Sequence, residues 1–213
     1  MAEQDPPRLV LFDLGGVMVR LPERREDAAA SAGVALPAID DAGWARWGEA
    51  VMAYEVGRLD TPGFFAAAAA ISGLSVDDHL QLHRSWLVEP YPGVHELVAE
   101  LHAAGVALGC LSNTNAEHWA MMHDRASHAC LPLHDMAHRF ASHEIGAAKP
   151  DAAIYEHVER ITALPGEAIA FFDDRPENVD AAAARGWRAH RVDPTGDPPK
   201  QVRRVLSGYG YPL

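Results

Sequence analysis

The fold is decided by Arg8-Leu9-Val10-Leu11-Phe12-Asp13-Leu14-Gly15-Gly16-Val17, in which an apolar strand runs into an aspartate. Gly15 and Gly16 then allow the backbone to turn sharply. Open α/β sheets place their chemistry at the carboxyl ends of buried parallel strands. The stretch therefore predicts a buried strand with Asp13 at the functional edge of a sheet.

Three later segments repeat one order of elements: a helix, a closing glycine or loop, and an apolar strand. We expect these helices to begin near Pro92, Pro150 and Pro176, because proline is favoured in the first helical turn. In the second helix, Ile154, Val158 and Ile161 share one predicted apolar face. The predicted strands are residues 106–111, 168–172 and 187–192. This alternation predicts an α/β fold with a doubly wound parallel sheet.

Residues 21–87 break the alternation, because they carry helical signals without a convincing apolar strand. Thr61 is a predicted helix N-cap before Pro62, and Ser75 begins a predicted capping box. The sequence therefore predicts a core of residues 1–20 and 88–213 and an inserted helical segment of about residues 21–87. A short basic helix is predicted at residues 201–206, after a loop rich in proline, glycine and aspartate.

Composition excludes several classes of partner. The 213 residues are 48% hydrophobic and 23% charged, and their formal charge is −12 at pH 7. Such acidity disfavours nucleic acids and anionic membranes, and no apolar run approaches the ~20 residues that span a bilayer. Residues 1–7 are too polar for a signal peptide, and Cys110 and Cys130 are expected to be reduced thiols. We therefore expect a cytoplasmic protein, with its oligomeric state left open.

Polar residues lie at the ends of two of the later predicted strands, and one more lies directly before a predicted helix. Ser112 and Asn113 follow the strand at 106–111, Lys149 directly precedes Pro150, and the pair Asp173 and Asp174 follows the strand at 168–172. Each position alone is ordinary at a strand end, and N-capping would explain one of the two acids. Their joint order, together with Asp13, predicts a single site.

These motifs carry a resemblance to a known family over nearly the whole chain. Phe-Asp-Leu-Gly-Gly-Val from Phe12, Leu-Ser-Asn-Thr-Asn from Leu111, Lys-Pro-Asp from Lys149 and Phe-Phe-Asp-Asp from Phe171 resemble the haloacid dehalogenase-like superfamily. The subgroup it resembles inserts a helical cap into a Rossmann-like core. Within it, the motifs are similar to those of bacterial phosphatases acting on α-glucose 1-phosphate. The resemblance implies Mg²⁺-dependent hydrolysis of a small phosphorylated metabolite, with a sugar phosphate favoured.

The resemblance also implies residue roles. Asp13, expected to be ionised at neutral pH, would attack phosphorus and form an aspartyl-phosphate that water hydrolyses. Lys149 would neutralise charge on the phosphate and on Asp13. The phosphate oxygens would be bound by the backbone of Leu14, Gly15 and Asn113 and by the side chain of Ser112.

Mg²⁺ would be held by Asp13, the carbonyl oxygen of Gly15 and Asp174, since hard cations prefer oxygen ligands. Asp173 would complete this acidic set in a supporting role, and Asn178 would orient it. A phosphate dianion would meet three carboxylates in one cleft. Two unit charges 4 Å apart interact by ~4 kcal/mol even at an effective dielectric of about 20. Lys149 alone cannot offset such repulsion, whereas a divalent ion can.

One position departs from the family pattern. Most phosphatases of the superfamily carry a second aspartate, the general acid–base, two residues after the nucleophile, where this chain has Gly15. The subgroup acting on glucose 1-phosphate also has glycine there. We expect Glu55, in the inserted segment, to supply the proton, the alternative being a solvated glutamate at a helix end.

Two alternatives remain at this point. L-2-haloacid dehalogenases of the superfamily also lack the second aspartate and work without metal, but they lack the acidic pair represented here by Asp173 and Asp174. A non-catalytic protein that binds a phosphorylated ligand or a partner on the same scaffold would also tolerate Gly15. The retained acids and Lys149 favour phosphate chemistry.

Histidines and aromatic residues are further candidates for metal-binding or substrate-binding residues. His134 and His138, like His79 and His83, have the i, i+4 spacing of helical zinc ligands, but they lack a third partner and are interpreted as surface residues. The aromatic residues of the insertion are interpreted as the small core of a helical cap, with a sugar subsite as the alternative. They are Trp44, Trp47, Phe64, Phe65 and Trp86.

Overall fold

The computed structural model describes residues 5–212 and is built around a five-stranded parallel sheet. The strands are β1 (Leu9–Phe12), β2 (Ala107–Ser112), β3 (His138–Ala141), β4 (Ile169–Asp173) and β5 (Arg188–Arg191). Their order is β3-β2-β1-β4-β5, and every neighbouring pair is parallel. Because the chain winds outward from β1 in both directions, the predicted doubly wound, Rossmann-like α/β fold is confirmed.

The helices fall into two groups along the chain. The first group is α1 (Arg25–Ala32), α2 (Asp41–Glu55), α3 (Thr61–Ser72) and α4 (Val76–Arg84). The second is α5 (Val94–Ala103), α6 (Ala116–His123), α7 (Ser142–Ile145), α8 (Ala152–Thr162), α9 (Pro176–Ala184) and α10 (Pro198–Gly208). Short 3₁₀ turns lie at Leu133–Asp135 and Gly166–Ala168. The second group alternates with strands, whereas the first is inserted between β1 and α5.

Both faces of the sheet are covered, because side chains of β1 alternate between two apolar clusters. Val10 and Phe12 belong to the cluster that includes α5 and α10. Leu9 and Leu11 belong to the cluster on the opposite face, with α8 and α9. Successive strand residues point to opposite faces, so a strand buried on both sides has an unbroken apolar sequence. This burial explains why β1 could be predicted from the sequence.

Residues 25–84, called the four-helix segment below, leave and rejoin the sheet-bearing part through two adjacent connections. The backbone N–H of Arg20 donates to the carbonyl of Glu89 at 2.8 Å, and that of Val88 donates to the carbonyl of Arg20 at 2.9 Å. Val19 also forms a bridge with Pro90. The entry and exit of the segment are therefore tied together.

Helix boundaries in this segment differ from the sequence prediction at one cap. Asp60, not Thr61, is the N-cap of α3, and its carboxylate accepts the backbone N–H of Gly63 at 2.8 Å. Thr61 is the first helical residue, and its hydroxyl lies 2.8 Å from that of Tyr54. Ser75 caps α4 as predicted, through Asp78.

Strand β3 was not predicted from the sequence. It is an edge strand whose first two residues are polar, so only its second half is buried. The face of α8 is also displaced: Ile161 is 50% exposed, and Tyr155 is buried beside Ile154 and Val158.

Other boundaries shift at helix and strand ends. Helix α8 begins after Asp151, which caps it, rather than at Pro150. Helix α10 is longer than predicted, and β5 is shorter than the predicted strand of residues 187–192 and only partly buried. These are the ends at which short sequence patterns locate an element least accurately.

Within residues 5–212, no helix has both the length and the apolar character needed to cross a bilayer. Cys110 lies in β2 and Cys130 in a loop, both as free thiols. The predicted absence of a signal peptide rests in part on residues 1–4, which lie outside the described residues, as does residue 213 of the predicted core.

Candidate active site

Three central strands present polar residues at their carboxyl ends. Asp13 directly follows β1, Ser112 is the last residue of β2, and Asp173 is the last residue of β4. Because these strands are neighbours in a parallel sheet, their ends lie at one edge, as the sequence predicted.

Lys149 is the centre of the arrangement. Its Nζ lies 2.9 Å from Oδ1 of Asp13 and 2.7 Å from Oδ2 of Asp173, and it donates to the carbonyl of Leu111 at 2.8 Å. Lys149 is only 4% exposed and Asp173 is 0% exposed. The ammonium group thus bridges two strand-end carboxylates away from bulk water.

Asn113 holds the backbone of Lys149. Its side-chain amide donates to the carbonyl of Lys149 and accepts the backbone N–H of the same residue, both at 2.8 Å. From the motifs, only the backbone of Asn113 was expected to act, by binding the phosphate. The structure adds a positioning contact that no motif signal indicated.

Asp173 is fully engaged by protein donors. Its Oδ1 accepts the backbone N–H of Arg175 at 2.9 Å, and Asn178 donates to both carboxylate oxygens at 3.0 and 3.1 Å. Tyr155 in turn donates to the carbonyl of Asn178 at 3.0 Å. With Lys149 on Oδ2, Asp173 has the geometry of the supporting acid. The N-cap residue of α9 is Arg175, and its side chain forms no cap hydrogen bond.

Asp174 is the less constrained acid of the pair and is half-exposed. It packs against Gly16, where an added Cβ would lie 2.7 Å from its Cγ and where φ is +72°. Carboxylate oxygens of Asp13, Asp173 and Asp174 lie within 4.8 Å of one another. If all are ionised, three carboxylates and Lys149 leave two net negative charges, and hard oxygen donors at this spacing fit a divalent cation.

Burial changes the titration of Asp13. Desolvation raises its pKa to about 7, against the attraction of Lys149 and with the repulsion of Asp173. The ionised Asp13 that the resemblance implies therefore depends on positive charge beside it, which Lys149 supplies at 2.9 Å and which a bound cation would increase. Burial works to lower the pKa of Lys149, but Asp13 and Asp173 outweigh it and raise that pKa.

The position of the missing second aspartate is filled by an apolar side chain. A Cβ added at Gly15 would lie 3.0 Å from Cδ1 of Leu21. Leu21, from the connection that leads to α1, therefore occupies the space that a longer side chain at position 15 would enter. No sequence pattern indicated this contact.

Glu55 lies at the end of α2 and lines the same cavity as Gly15 and Ser112. Burial raises its pKa, while Arg175 and Lys149 act in the opposite direction. Within residues 5–212, no hydrogen bond or ion pair engages its carboxylate. The following turn is pressed against α7, because a Cβ at Gly57 would lie 2.2 Å from the carbonyl oxygen of His143.

The cavity has a volume of about 470 Å³ and lies between the strand ends and the four-helix segment. Leu14, Gly15, Ser112 and Asn113 line it at the sheet. The side toward the segment is lined largely by aromatic and aliphatic side chains. All five aromatic residues of the insertion singled out from the sequence contribute: Trp44, Trp47, Phe64, Phe65 and Trp86.

The surface interpretation of the histidines holds for His134, which is exposed, and is wrong for His79, which is buried. His79 is buried and lies 2.6 Å from the hydroxyl of Ser72, and His83 stacks on the buried His118 with ring centroids 3.9 Å apart. His134 lies in a 3₁₀ turn and His138 in β3, so they share no helix. In the part of the chain that the structure describes, the metal-binding group found is the acidic one.

The fold and this centre define an α/β enzyme whose acidic site lies at the carboxyl edge of its sheet. The model of the haloacid dehalogenase-like hydrolases matches residues 7–186. The chain therefore belongs to this family, as the motifs suggested.

Known proteins resemble this chain in sequence or in fold. A Mycobacterium tuberculosis protein named as a phosphatase is 30% identical over 135 residues, which are 63% of this chain and 60% of that protein. A HAD family enzyme from Bacteroides thetaiotaomicron, in complex with magnesium and inorganic phosphate, has a TM-score of 0.73 at 21% identity, covering 90% of this chain and 96% of its own. A 2-haloacid dehalogenase from Pseudomonas syringae has a TM-score of 0.64 at 18% identity, covering 95% and 99%. At these identities the two structures show the shared fold alone.

Proposed function

We propose that this hydrolase is a Mg²⁺-dependent phosphatase that acts on small phosphate monoesters through an aspartyl-phosphate at Asp13. The observation that carries the proposal is the buried Lys149, which bridges Asp13 and Asp173 beside a third carboxylate. The relative named as a phosphatase supports it. The motif resemblance favours a sugar phosphate such as glucose 1-phosphate, whereas the lining of the cavity favours a less polar ester.

In the proposed reaction, a carboxylate oxygen of Asp13 attacks phosphorus and displaces the alkoxide of the substrate. Glu55 gives its proton to that alkoxide, and its raised pKa favours the protonated form that this step requires. Glu55 then takes a proton from water, which attacks phosphorus, releases inorganic phosphate and restores Asp13. The backbone of Leu14, Gly15 and Asn113 and the hydroxyl of Ser112 bind the phosphate oxygens.

Asp13, Asp174 and the carbonyl of Gly15 would hold Mg²⁺, with Asp173 orienting Lys149 beside them. Bound there, the ion supplies positive charge that offsets the repulsion between the carboxylates and a phosphate dianion. Lys149 adds one further positive charge at a fixed position, because its Nζ is held by two carboxylates and a carbonyl.

The four-helix segment is proposed to act as a cap over the site, with boundaries near residues 21 and 87 and a core of residues 1–20 and 88–213. Several of its contacts with the rest of the chain are polar. Arg84 forms an ion pair with Glu117 at 2.6 Å, His83 lies 3.0 Å from Oδ1 of Asn115, and the backbone N–H of Glu117 donates to the hydroxyl of Tyr54 at 3.1 Å.

The first test of the function is metal dependence. Phosphate release from a panel of monoesters, glucose 1-phosphate included, is expected with Mg²⁺ and is expected to fall at least ~100-fold with excess chelator, since the site loses its divalent charge. Release that persists unchanged in chelator would contradict the proposal. No release from any ester, together with tight binding of phosphorylated ligands, would favour the non-catalytic alternative.

Glu55 gives a second prediction. The substitution Glu55→Gln keeps the size of the side chain but removes its proton, and kcat is expected to fall by roughly 100-fold, the lower end of general acid–base contributions. The pH profile of kcat should lose one limb in the variant. Steady-state kinetics of the wild type and the variant across pH would measure both effects.

A matched control exists in the same helix. Glu49 is exposed on α2 and does not line the cavity of about 470 Å³, so Glu49→Gln is expected to leave kcat unchanged. Equal turnover of the Glu55 and Glu49 variants would assign Glu55 to a solvated helix end and the proton to another donor.

The dehalogenase alternative has one observation in its favour, which is the apolar lining of the cavity beside Gly15. Against it stands the half-exposed Asp174, because an additional carboxylate near Asp13 would repel a haloacid. Halide release from 2-chloropropionate in the presence of chelator would establish this alternative in place of the phosphatase.

A further inference from the structure

The cavity between the sheet edge and the four-helix segment has two chemically different sides. At the sheet it is lined by backbone groups of Leu14 and Gly15 and by the polar side chains of Ser112 and Asn113. Toward the segment the lining includes three tryptophans, two phenylalanines and several aliphatic residues. They include Trp44, Trp47, Phe64, Phe65, Leu82 and Trp86. The volume of about 470 Å³ lies in the range of small-molecule sites.

The histidines on the apolar side are already satisfied by the protein. Nε2 of His79 lies 2.6 Å from the hydroxyl of Ser72, and Nε2 of His83 lies 3.0 Å from Oδ1 of Asn115. Nε2 of His118 lies 2.8 Å from the carbonyl of His83. Each of these rings therefore has at least one nitrogen engaged by the protein, which leaves fewer donors and acceptors for a ligand.

Tyr54 and Arg25 also contribute polar groups to this lining, and the hydroxyl of Tyr54 is engaged by the protein. The hydroxyl of Tyr54 contacts that of Thr61 at 2.8 Å and accepts the backbone N–H of Glu117. Arg25 places its guanidinium 4.0 Å from the ring centroid of Trp44, an arrangement that leaves a covered aromatic face. Glu55 is the carboxylate that remains without such a partner within residues 5–212, and the proposed function already uses it.

On the side toward the segment, a polyhydroxylated ring would lose its water and find few partners for its hydroxyl groups other than Arg25 and Glu55. Buried polar groups without hydrogen bonds are unfavourable, whereas apolar rings gain free energy when aromatic walls cover them. The cavity therefore discriminates between leaving groups of the same size by their polarity.

We propose that the substrate is a phosphate monoester of an apolar alcohol, whose hydrocarbon part lies against Trp44, Trp47 and Trp86 while its phosphate lies at the sheet edge. This inference rests on the proposed phosphatase function and replaces a sugar by a hydrocarbon as the leaving group. The four-helix segment selects the substrate by excluding water from its hydrocarbon part.

The test compares two primary alkyl phosphates that share a six-membered ring. Cyclohexylmethyl phosphate has the ring size and primary ester of glucose 6-phosphate but no hydroxyl groups, so leaving-group reactivity differs little between them. With Mg²⁺ present, kcat/KM is expected to be higher for cyclohexylmethyl phosphate by roughly tenfold or more, the range of discrimination by apolar pockets. Equal or faster hydrolysis of glucose 6-phosphate would overturn the inference while leaving the phosphatase function intact.

Substitutions in α2 test which residues cause the preference for the apolar ester. Trp47→Ala removes one aromatic wall, and the ratio of the two kcat/KM values is expected to fall roughly tenfold. Met52, exposed on the same helix and outside the lining, provides the control Met52→Ala, for which the ratio is expected to stay unchanged. An unchanged ratio in a folded Trp47→Ala protein would contradict the assignment of the wall.

Acetyl phosphate, which carries no ring, separates the two claims. If acetyl phosphate and both ring esters resist hydrolysis, the proposed function is wrong. In that case, calorimetric titration of the unmodified protein with the two ring esters and Mg²⁺ tests the apolar site by itself. Tighter binding of cyclohexylmethyl phosphate would support the apolar site. Equal binding, or binding of neither ester, would overturn it.

Discussion

Replacing Asp13 by asparagine is expected to abolish phosphate release, with kcat falling roughly 10⁴-fold or more, as for the removal of other catalytic nucleophiles. An amide oxygen cannot form the aspartyl-phosphate, yet the side chain keeps its size. Lys149 retains its ion pair with Asp173, so the fold should persist. Phosphate-release kinetics and thermal unfolding of the same preparation would measure both effects.

The control for this variant is Asp180→Asn, which changes the charge equally at an exposed position of α9. Its turnover is expected to match the wild type. If the Asp13 variant released phosphate at the wild-type rate, the nucleophile would be another group and the mechanism proposed above would be wrong.

Lys149→Met is expected to have the second large effect, on stability as well as on turnover. The substitution leaves the buried carboxylates of Asp13 and Asp173 without their cation, and breaking a buried pair in this way costs about 3–5 kcal/mol. Chemical denaturation followed by tryptophan fluorescence would measure the loss of unfolding free energy.

Lys200 is the other lysine of the chain and lies exposed on α10. Lys200→Met is therefore the matched control and is expected to change stability by less than ~0.5 kcal/mol, as surface substitutions usually do. A Lys149 variant as stable as the Lys200 variant would show that the ion pairs with Asp13 and Asp173 contribute little to folding.

The double variant Lys149→Met, Asp173→Asn separates the two parts of the effect. Removing one buried charge together with its partner should restore part of the lost stability, because fewer carboxylates remain unpaired. Turnover should stay low in the double variant, since the proposed positive charge beside the phosphate is still missing.

The central strands could be predicted because burial on both faces gives them unbroken apolar sequences, as in β1 and β4. The edge strand β3 could not, since it needs to bury only Phe140 and Ala141. The N-cap of α3 was misplaced by one residue because Asp60 and Thr61 are both good caps. Local sequence leaves such choices to contacts elsewhere, here the hydroxyl of Tyr54 on Thr61.

For the site, the sequence located Asp13, Ser112, Lys149 and the acidic pair at one sheet edge, because each lies next to a strand or helix end. It did not anticipate the raised pKa of Asp13, which depends on how deeply the surrounding helices bury that carboxyl. Nor did it anticipate Leu21 beside Gly15, or the apolar lining of the cavity, since both depend on how residues distant in sequence pack together.

The most direct test of the central claim is to find the phosphoryl group on the protein. The enzyme would be quenched in acid during turnover of a phosphate ester with Mg²⁺, digested, and examined by mass spectrometry. We predict one phosphoryl group on the peptide that contains Asp13 and none in the Asp13→Asn variant. A phosphoryl group on a different residue, lost when that residue rather than Asp13 is replaced, would contradict the account.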